Sequence, residues 1–367
     1  MIKVAIVGTG SIAGVHLAAY AGFPGRCKVI ALVDRQGDKA QKLKEEHALD
    51  CGMFNDYEAL LDNPELDLVS ICTPPYTHAE IASAFLRAGK HVLVEKPMAP
   101  SLSECDRMLE AASHSAGILS VVGQNRFYDP IQKVKKVIES GLAGRIVHAE
   151  ANSYWWRGHS YYDVDWRGTW EKEGGGCVIN HAVHHIDMLQ WVMGMPTAVQ
   201  AVTANTSHDN SEVEDLSTAI LTFPDGSLGQ ITSSVVHHGE EQRLVFQGRR
   251  AKVSMPWQLY ASAEQSGGFP QRNPALEEEI ERFAAGIEPL KYTGHAGQID
   301  DVLTAIETGS RQVLIDGSEG RKSIELVMAI YEAAATGKPV ALPLSKESIF
   351  YAQESIIAQA PRFRRKA

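Results

Sequence analysis

The chain has 367 residues, 44% of them apolar and 22% charged, with a formal net charge of −10. That composition suits a soluble globular protein with room for two cores. The acidic balance argues against nucleic acid or an anionic membrane as partner, and the basic tail from Arg362 to Lys366 reads as solvated chain rather than a binding patch. The opening MIKVAIVGTGS passes directly from a short apolar run into glycines, unlike a signal peptide, and no stretch approaches a membrane span. Five cysteines without C-x-x-C spacing suggest neither a disulfide framework nor a zinc knuckle, so a reducing cytoplasm is the expected location.

Along the first 125 residues, short Val- and Ile-rich runs alternate with helical patterns. Lys3 to Val7, Lys28 to Val33, Leu66 to Cys72, His91 to Val94 and Leu119 to Val122 read as buried parallel strands. Segments of helical composition lie between them, at Gly37 to His47, His78 to Ala88 and Leu102 to Ala116, and the alternation predicts a doubly wound sheet. Beyond Gln124 a helix from Pro130 to Ser140 precedes longer alternating strands near 145–155, 197–206, 214–223, 227–236, 241–247 and 251–255. These suit a mostly antiparallel sheet with one open face. Helices are expected again at Ala275 to Ala285, Gly297 to Thr308 and Glu319 to Ala335, the last stopped by T-G-K-P-V. Domains of residues 1–124 and 125–367 follow from this exchange of patterns.

VAIVGTGSIAG is the strongest local signal in the first domain. Gly8 and Gly10 follow an apolar strand, Ala13 stands at the third small position, and the amphipathic segment Ile12 to Tyr20 opens at once behind Ser11, as a turn that cradles phosphate at a helix N-terminus requires. The second strand ends in Asp34, where a carboxylate can accept from the hydroxyls of an adenosine ribose. Asp34 favours NAD over NADP because a 2′-phosphate would meet its charge, and Arg35 beside it softens that preference. The structural alternative is a tight strand-to-helix turn without a ligand. CTPPYTH, with Thr73, Pro74 and His78, and VEKP, with Glu95 and Lys96, end strands on the same edge and should border the nicotinamide. Gln124, at the end of this domain, completes the expected cofactor set.

In order and spacing, G-T-G-S-I-A, Asp34, T-P-P-Y-T-H, E-K-P and G-G-G followed by N-x-x-x-H-x-x-D resemble the Gfo/Idh/MocA oxidoreductases. The resemblance runs to the closing A-I-Y-E-A-A-A-T-G-K-P-V, and E-K-P with the triple glycine is its most specific part. It implies an α/β protein with an N-terminal Rossmann doubly wound parallel sheet and a C-terminal α/β domain with an open, mostly antiparallel sheet. It also implies NAD(P)-dependent oxidation or reduction of a sugar, cyclitol or sugar derivative, with Lys96 as catalytic lysine and His184 as its partner. A W-R pair near the cofactor carries over to Trp166 and Arg167, and homodimers or homotetramers are implied by the family and by the open sheet face.

On a regular helix Asn180, His184, Asp187 and Trp191 share one stripe, whereas His181 and His185 lie on a neighbouring stripe and read as polar residues on the helix flank. The pair at i, i+4 offers only two ligands, so no metal is expected. Many family members carry aspartate where this chain has Asn180. An amide cannot accept a proton, so Asn180 reads as a substrate-orienting residue, as do Asp187 and Arg157, with proton transfer left to Lys96 and His184. SYWWRGHSYYDVDWRGTW, residues 153–170, interleaves tryptophans with Arg157 and Arg167 and reads as an arm-like, sugar-stacking loop, a buried core strand being the alternative. An NAD-dependent glycosidase with a transient redox step and a non-enzymatic dinucleotide sensor remain the other readings.

Overall fold

In the computed structural model, which describes residues 1–363, the first domain is a parallel six-stranded sheet. Its strands are β1 (Ile2–Val7), β2 (Cys27–Val33), β3 (Gly52–Phe54), β4 (Leu68–Ile71), β5 (His91–Val94) and β6 (Leu119–Val121), in the spatial order β3-β2-β1-β4-β5-β6. The helices α1 (Ser11–Ala21), α2 (Gly37–Glu46), α3 (His78–Arg87) and α4 (Leu102–Ser113) connect them. All four residues of β4 are buried, and cover on both faces is why such strands read as unbroken apolar runs. The chain leaves β1 toward opposite edges of the sheet, through β2 on one side and β4 on the other, which opens a crevice at the carboxyl ends of these strands. β3 was not among the predicted strands; three residues at a sheet edge are too few to show a period.

Past residue 124 the chain moves to a second sheet. α5 (Asp129–Glu139) leads into β7 (Ile146–Tyr154), and α6 (Val183–Met193) precedes β8 (Ala198–Ala204), β9 (Leu216–Thr222), β10 (Leu228–Ser234), β11 (Gln242–Gly248) and β12 (Ala251–Met255). β13 (Gln258–Glu264) and β14 (Pro270–Arg272) extend the sheet, α7 (Pro274–Ala285), α8 (Gly294–Thr308) and α9 (Gly317–Thr336) follow, and β15 (Val340–Ala341) and α10 (Gln353–Gln359) close the described chain. The nine strands run β14-β13-β12-β11-β7-β10-β9-β8-β15, antiparallel except for the central β7–β10 pair. Buried and exposed residues alternate along β9, the signature of one packed and one open face.

The C-terminal helices return to the first domain. Ile299, Val302 and Leu303 of α8 share a core with Ala13 and Leu17 of α1, and Arg26 pairs with Asp300 and Glu307. Arg362 donates to Glu212 at 2.9 Å, whereas residues 364–366 of the basic tail lie outside the described residues.

The histidine-bearing segment departs from the regular helix expected of it. Val178–Ala182 form a π-helical turn, and α6 begins only at Val183. That wider turn breaks the regular spacing behind the single stripe: Asn180 lines the cleft, whereas Asp187 is held by Arg126.

Candidate active site

A cleft of about 830 Å³ runs along the carboxyl ends of β1, β2, β4 and β5, and Trp166, Arg167 and Asn180 of the second domain line its far side. Gly8 has φ of 90°, and a Cβ there would sit 2.8 Å from the carbonyl carbon of Cys72, so only glycine lets β1 turn against β4. Gly10 caps α1 without a side-chain acceptor, and Ser11 and Ile12 continue the lining, so the first amides of α1 face the cleft as anion-binding donors. Asp34 lies at the end of β2, its Oδ2 accepting from Thr9 N at 2.8 Å and Thr9 Oγ1 at 2.7 Å, with exposed Arg35 next to it. This cradle fits a dinucleotide, with the pyrophosphate at α1 and a ribose beside Asp34.

Thr73, Pro74, Glu95 and Lys96 also line the cleft. His78 does not: it is fully buried, its ring nitrogens 3.0 Å from Pro97 O and 2.8 Å from Thr73 O, where it ties the two strand-end loops together. Glu95 Oε1 accepts from His16 Nε2 at 2.9 Å and His295 Nε2 at 3.2 Å, contacts that sequence reading missed because they join α1, β5 and α8. Burial alone would raise the pKa of this carboxyl, but those two imidazoles hold it well below the usual range. These three side chains form a compact cluster of the kind that binds metal, although two N–H donors on one carboxylate oxygen already satisfy it.

Lys96 is half-buried, and its Nζ donates to the main-chain carbonyl of Asn180 at 3.0 Å. Burial pushes its pKa down, and Arg167 and Arg157 add to that, against an opposing pull from Glu95. The position of the Asn180 carbonyl depends on the glycine run. A Cβ on Gly175 would come 2.2 Å from Tyr331 Oη, and one on Gly176 would come 1.9 Å from Glu214 O. Into that space the Glu214 carboxyl receives Gly176 N and Val178 N at 3.0 Å and Tyr331 Oη at 2.8 Å, capping the helical segment. Burial raises the Glu214 pKa to about 7.

His184 lines a small cavity of about 20 Å³ that shares Lys96 and Pro97 with the main cleft. Burial, then the neighbouring Lys96 charge, keep its pKa well below the ordinary histidine value, so it is neutral. Asp187 is not available to a substrate. Its two oxygens accept from Arg126 Nε at 2.9 Å, Arg126 Nη2 at 2.8 Å and Ser323 Oγ at 2.9 Å in a buried pair that sequence spacing does not reveal. Gln124 lies off the cleft with a buried side-chain oxygen that has no hydrogen-bond partner among the described residues. His181, in the π-helical turn beside the Trp155 and Tyr161 rings, and His185, on α6 packed against β7 and α9, are buried at 8% and 3% exposure, not on a polar flank.

The aromatic arm divides between both readings of it. Tyr162 and Trp170 are core residues, 2% exposed each, while Trp166 and Arg167 face the cleft with the Arg167 guanidinium 3.9 Å from the Tyr161 ring centre. Arg157 lies outside the cleft lining and donates to Glu240 at 2.7 Å. Glu173, the residue before the glycines, escaped notice in the sequence. It is 1% exposed beside Asn180, and burial raises its pKa to about 7.

Residues 2–122 match the model of an oxidoreductase family with an NAD-binding Rossmann fold, and residues 131–254 match that of a GFO/IDH/MocA C-terminal domain. The chain is 26% identical over 348 residues to the inositol 2-dehydrogenase of Rhizobium meliloti, covering 93% of this chain and 99% of the relative. It is 26% identical over 275 residues to the levoglucosan dehydrogenase of Pseudarthrobacter phenanthrenivorans, covering 67% and 70% respectively. The crystal structure of the WlbA dehydrogenase from Bordetella pertussis, in complex with NADH and UDP-GlcNAcA, superposes with a TM-score of 0.79 at 29% identity, covering 94% of this chain and 99% of that one.

Proposed function

Because the chain belongs to the Gfo/Idh/MocA oxidoreductase family, we propose that Lys96 and His184 serve one proton transfer in the NAD-dependent interconversion of a hydroxyl and a keto group on a sugar, cyclitol or sugar derivative. The observation that carries this reading is the Lys96 ammonium held at the interdomain cleft on the Asn180 carbonyl, with burial lowering its pKa. When bound, the nicotinamide supplies the hydride acceptor or donor. Lys96, in its neutral form, takes the hydroxyl proton as the C–H bond breaks, and neutral His184 beside it accepts or returns that proton. Asn180 orients the hydroxyl, and Trp166 and Arg167 cover the cofactor side of the cleft. Gly8, Gly10, Ser11 and Ile12 hold the pyrophosphate, and Asp34 favours NAD over NADP.

Residues 1–124 form the cofactor domain and 125–367 the substrate and assembly domain, with α8 crossing back between them. The exposed Val202, Ile220 and Leu228 on the open sheet face support assembly as a homodimer or homotetramer. No helix among the described residues is long and apolar enough to cross a membrane, in keeping with a cytoplasmic enzyme.

The test is a panel of cyclitols, anhydrosugars and nucleotide-linked uronic acids with NAD⁺, read at the nicotinamide absorbance. Steady NADH accumulation on one of them is the expected result. Aglycone release from a glycoside without net NADH would assign the glycosidase reading instead, and cofactor binding without turnover would assign a sensor.

A further inference from the structure

Glu173 Oε2 accepts from Gly168 N at 2.6 Å, while its Oε1 faces the amide nitrogen of Asn180 and lies 4.0 Å from Arg167 Nη1. The same Asn180 nitrogen reaches Tyr161 Oη at 3.1 Å. A primary amide nitrogen carries two hydrogens, so both are committed, one to Glu173 and one to Tyr161. The amide oxygen accepts no hydrogen bond from another side chain or main-chain group among the described residues, and Asn180 lines the cleft. While Glu173 is ionised the nitrogen must be the atom that faces it, because an amide oxygen there would set acceptor against acceptor.

We propose that Glu173 is a positioning residue that holds the Asn180 amide with its oxygen toward the cleft, so that the site reads a hydrogen-bond donor, a hydroxyl, on the substrate. The identity of that ligand rests on the oxidoreductase reading; the orientation of the amide does not. Protonation would reverse the arrangement. A neutral Glu173 can donate its O–H to the amide oxygen, the amide turns, and its NH2 group meets the cleft, where it suits a keto or carboxylate oxygen. Burial raises the Glu173 pKa to about 7, opposed by Gly168 N and by Arg167 and reinforced by Glu214, and Lys96 and Tyr162 are the other titratable groups that sense it. The turn therefore falls within the neutral range.

The readout is the side-chain amide signal of Asn180 in the full chain labelled with ¹⁵N at asparagine, identified by its loss in Asn180→Asp. In the native protein this signal should move with pH through one midpoint near 7, and in Glu173→Gln it should no longer titrate. A signal that stays fixed from about pH 5.5 to about pH 8.5 overturns the proposal, as does the same titration in Glu173→Gln. The native titration decides alone if that variant does not fold. On any substrate that turns over, Glu173→Gln should raise KM about tenfold with a smaller effect on kcat. The amide signal needs no turnover, so its failure is distinct from failure of the oxidoreductase reading.

Discussion

Lys96 Nζ meets the main-chain carbonyl of Asn180 at 3.0 Å, a contact between the end of β5 in one domain and the π-helical turn ahead of α6 in the other. In the proposed mechanism a substrate hydroxyl lies beside this contact, between cofactor and second domain. A positioned proton acceptor contributes about 10² to 10⁴-fold, so Lys96→Met and His184→Ala should each lower kcat by about that factor with NAD affinity nearly unchanged. The double variant should lose little more than either single one if, as proposed, the two groups serve one proton. In the native enzyme the rise of kcat/KM with pH should centre below 10.5, the ordinary lysine value, as burial of Lys96 dictates. Wild-type turnover by Lys96→Met on the true substrate would remove the lysine from the chemistry.

In the proposed reading cofactor choice rests on Asp34, whose carboxylate stands at the end of β2 within the cleft. A 2′-phosphate would add charge against it, so NAD(H) should bind more tightly than NADP(H), and Asp34→Ala should narrow the gap. Calorimetry on the native chain and on Asp34→Ala with both cofactors measures this directly. Because Asp34 also accepts from Thr9 N and Oγ1, the variant should weaken NAD(H) binding as well by loosening the glycine turn.

The Arg126–Asp187 pair makes a prediction of the opposite kind. Both partners are buried, and truncating Asp187 leaves Arg126 Nε, Arg126 Nη2 and Ser323 Oγ without acceptors, with Glu319 at 2.9 Å from Nη1 as the remaining counter-ion. Each buried donor left unsatisfied costs about 1 to 3 kcal/mol. Asp187→Ala should therefore lower the thermal midpoint strongly. If Asp187→Ala instead kept the native midpoint and raised only KM, Asp187 would be a substrate contact after all.

Acid stability should depend on His185. Burial lowers its pKa to about 4 in the fold from 6.5, so the imidazole is neutral there while the unfolded chain takes up a proton below 6.5. A depressed folded value means that the native state binds fewer protons in this window, so stability falls as pH drops from 6.5 toward 4. At completion the loss is on the order of 3 kcal/mol for this one group. Glu173 and Glu214 act in the opposite sense. Their folded values of about 7 stand above 4.5, so they favour the fold at low pH and lose that contribution as pH rises from 4.5 to about 7. Denaturant midpoints for His185→Leu should accordingly fall less steeply below pH 6.5 than those of the native chain. Equal slopes would show that His185 is already solvated.

Much of this was readable in one dimension because its causes are local. Apolar runs bounded by glycine mark buried strands, Gly8 and Gly10 mark a turn with positive φ and a helix start, and Asp34, Lys96 and Asn180 occupy strand ends or a helix entry whose positions the alternation of elements determines. Other features depend on residues far apart in sequence. Arg126 neutralises Asp187 from 61 positions away, and His16 of α1 and His295 of α8 converge on Glu95. The π-helical turn that separates Asn180 from Asp187 arises where Glu214 and Tyr331 fill the space beside Gly175 and Gly176. Burial was decided there too, and with it the charge states of Glu173 and the histidines, because desolvation acts on a group only after the rest of the chain has closed around it.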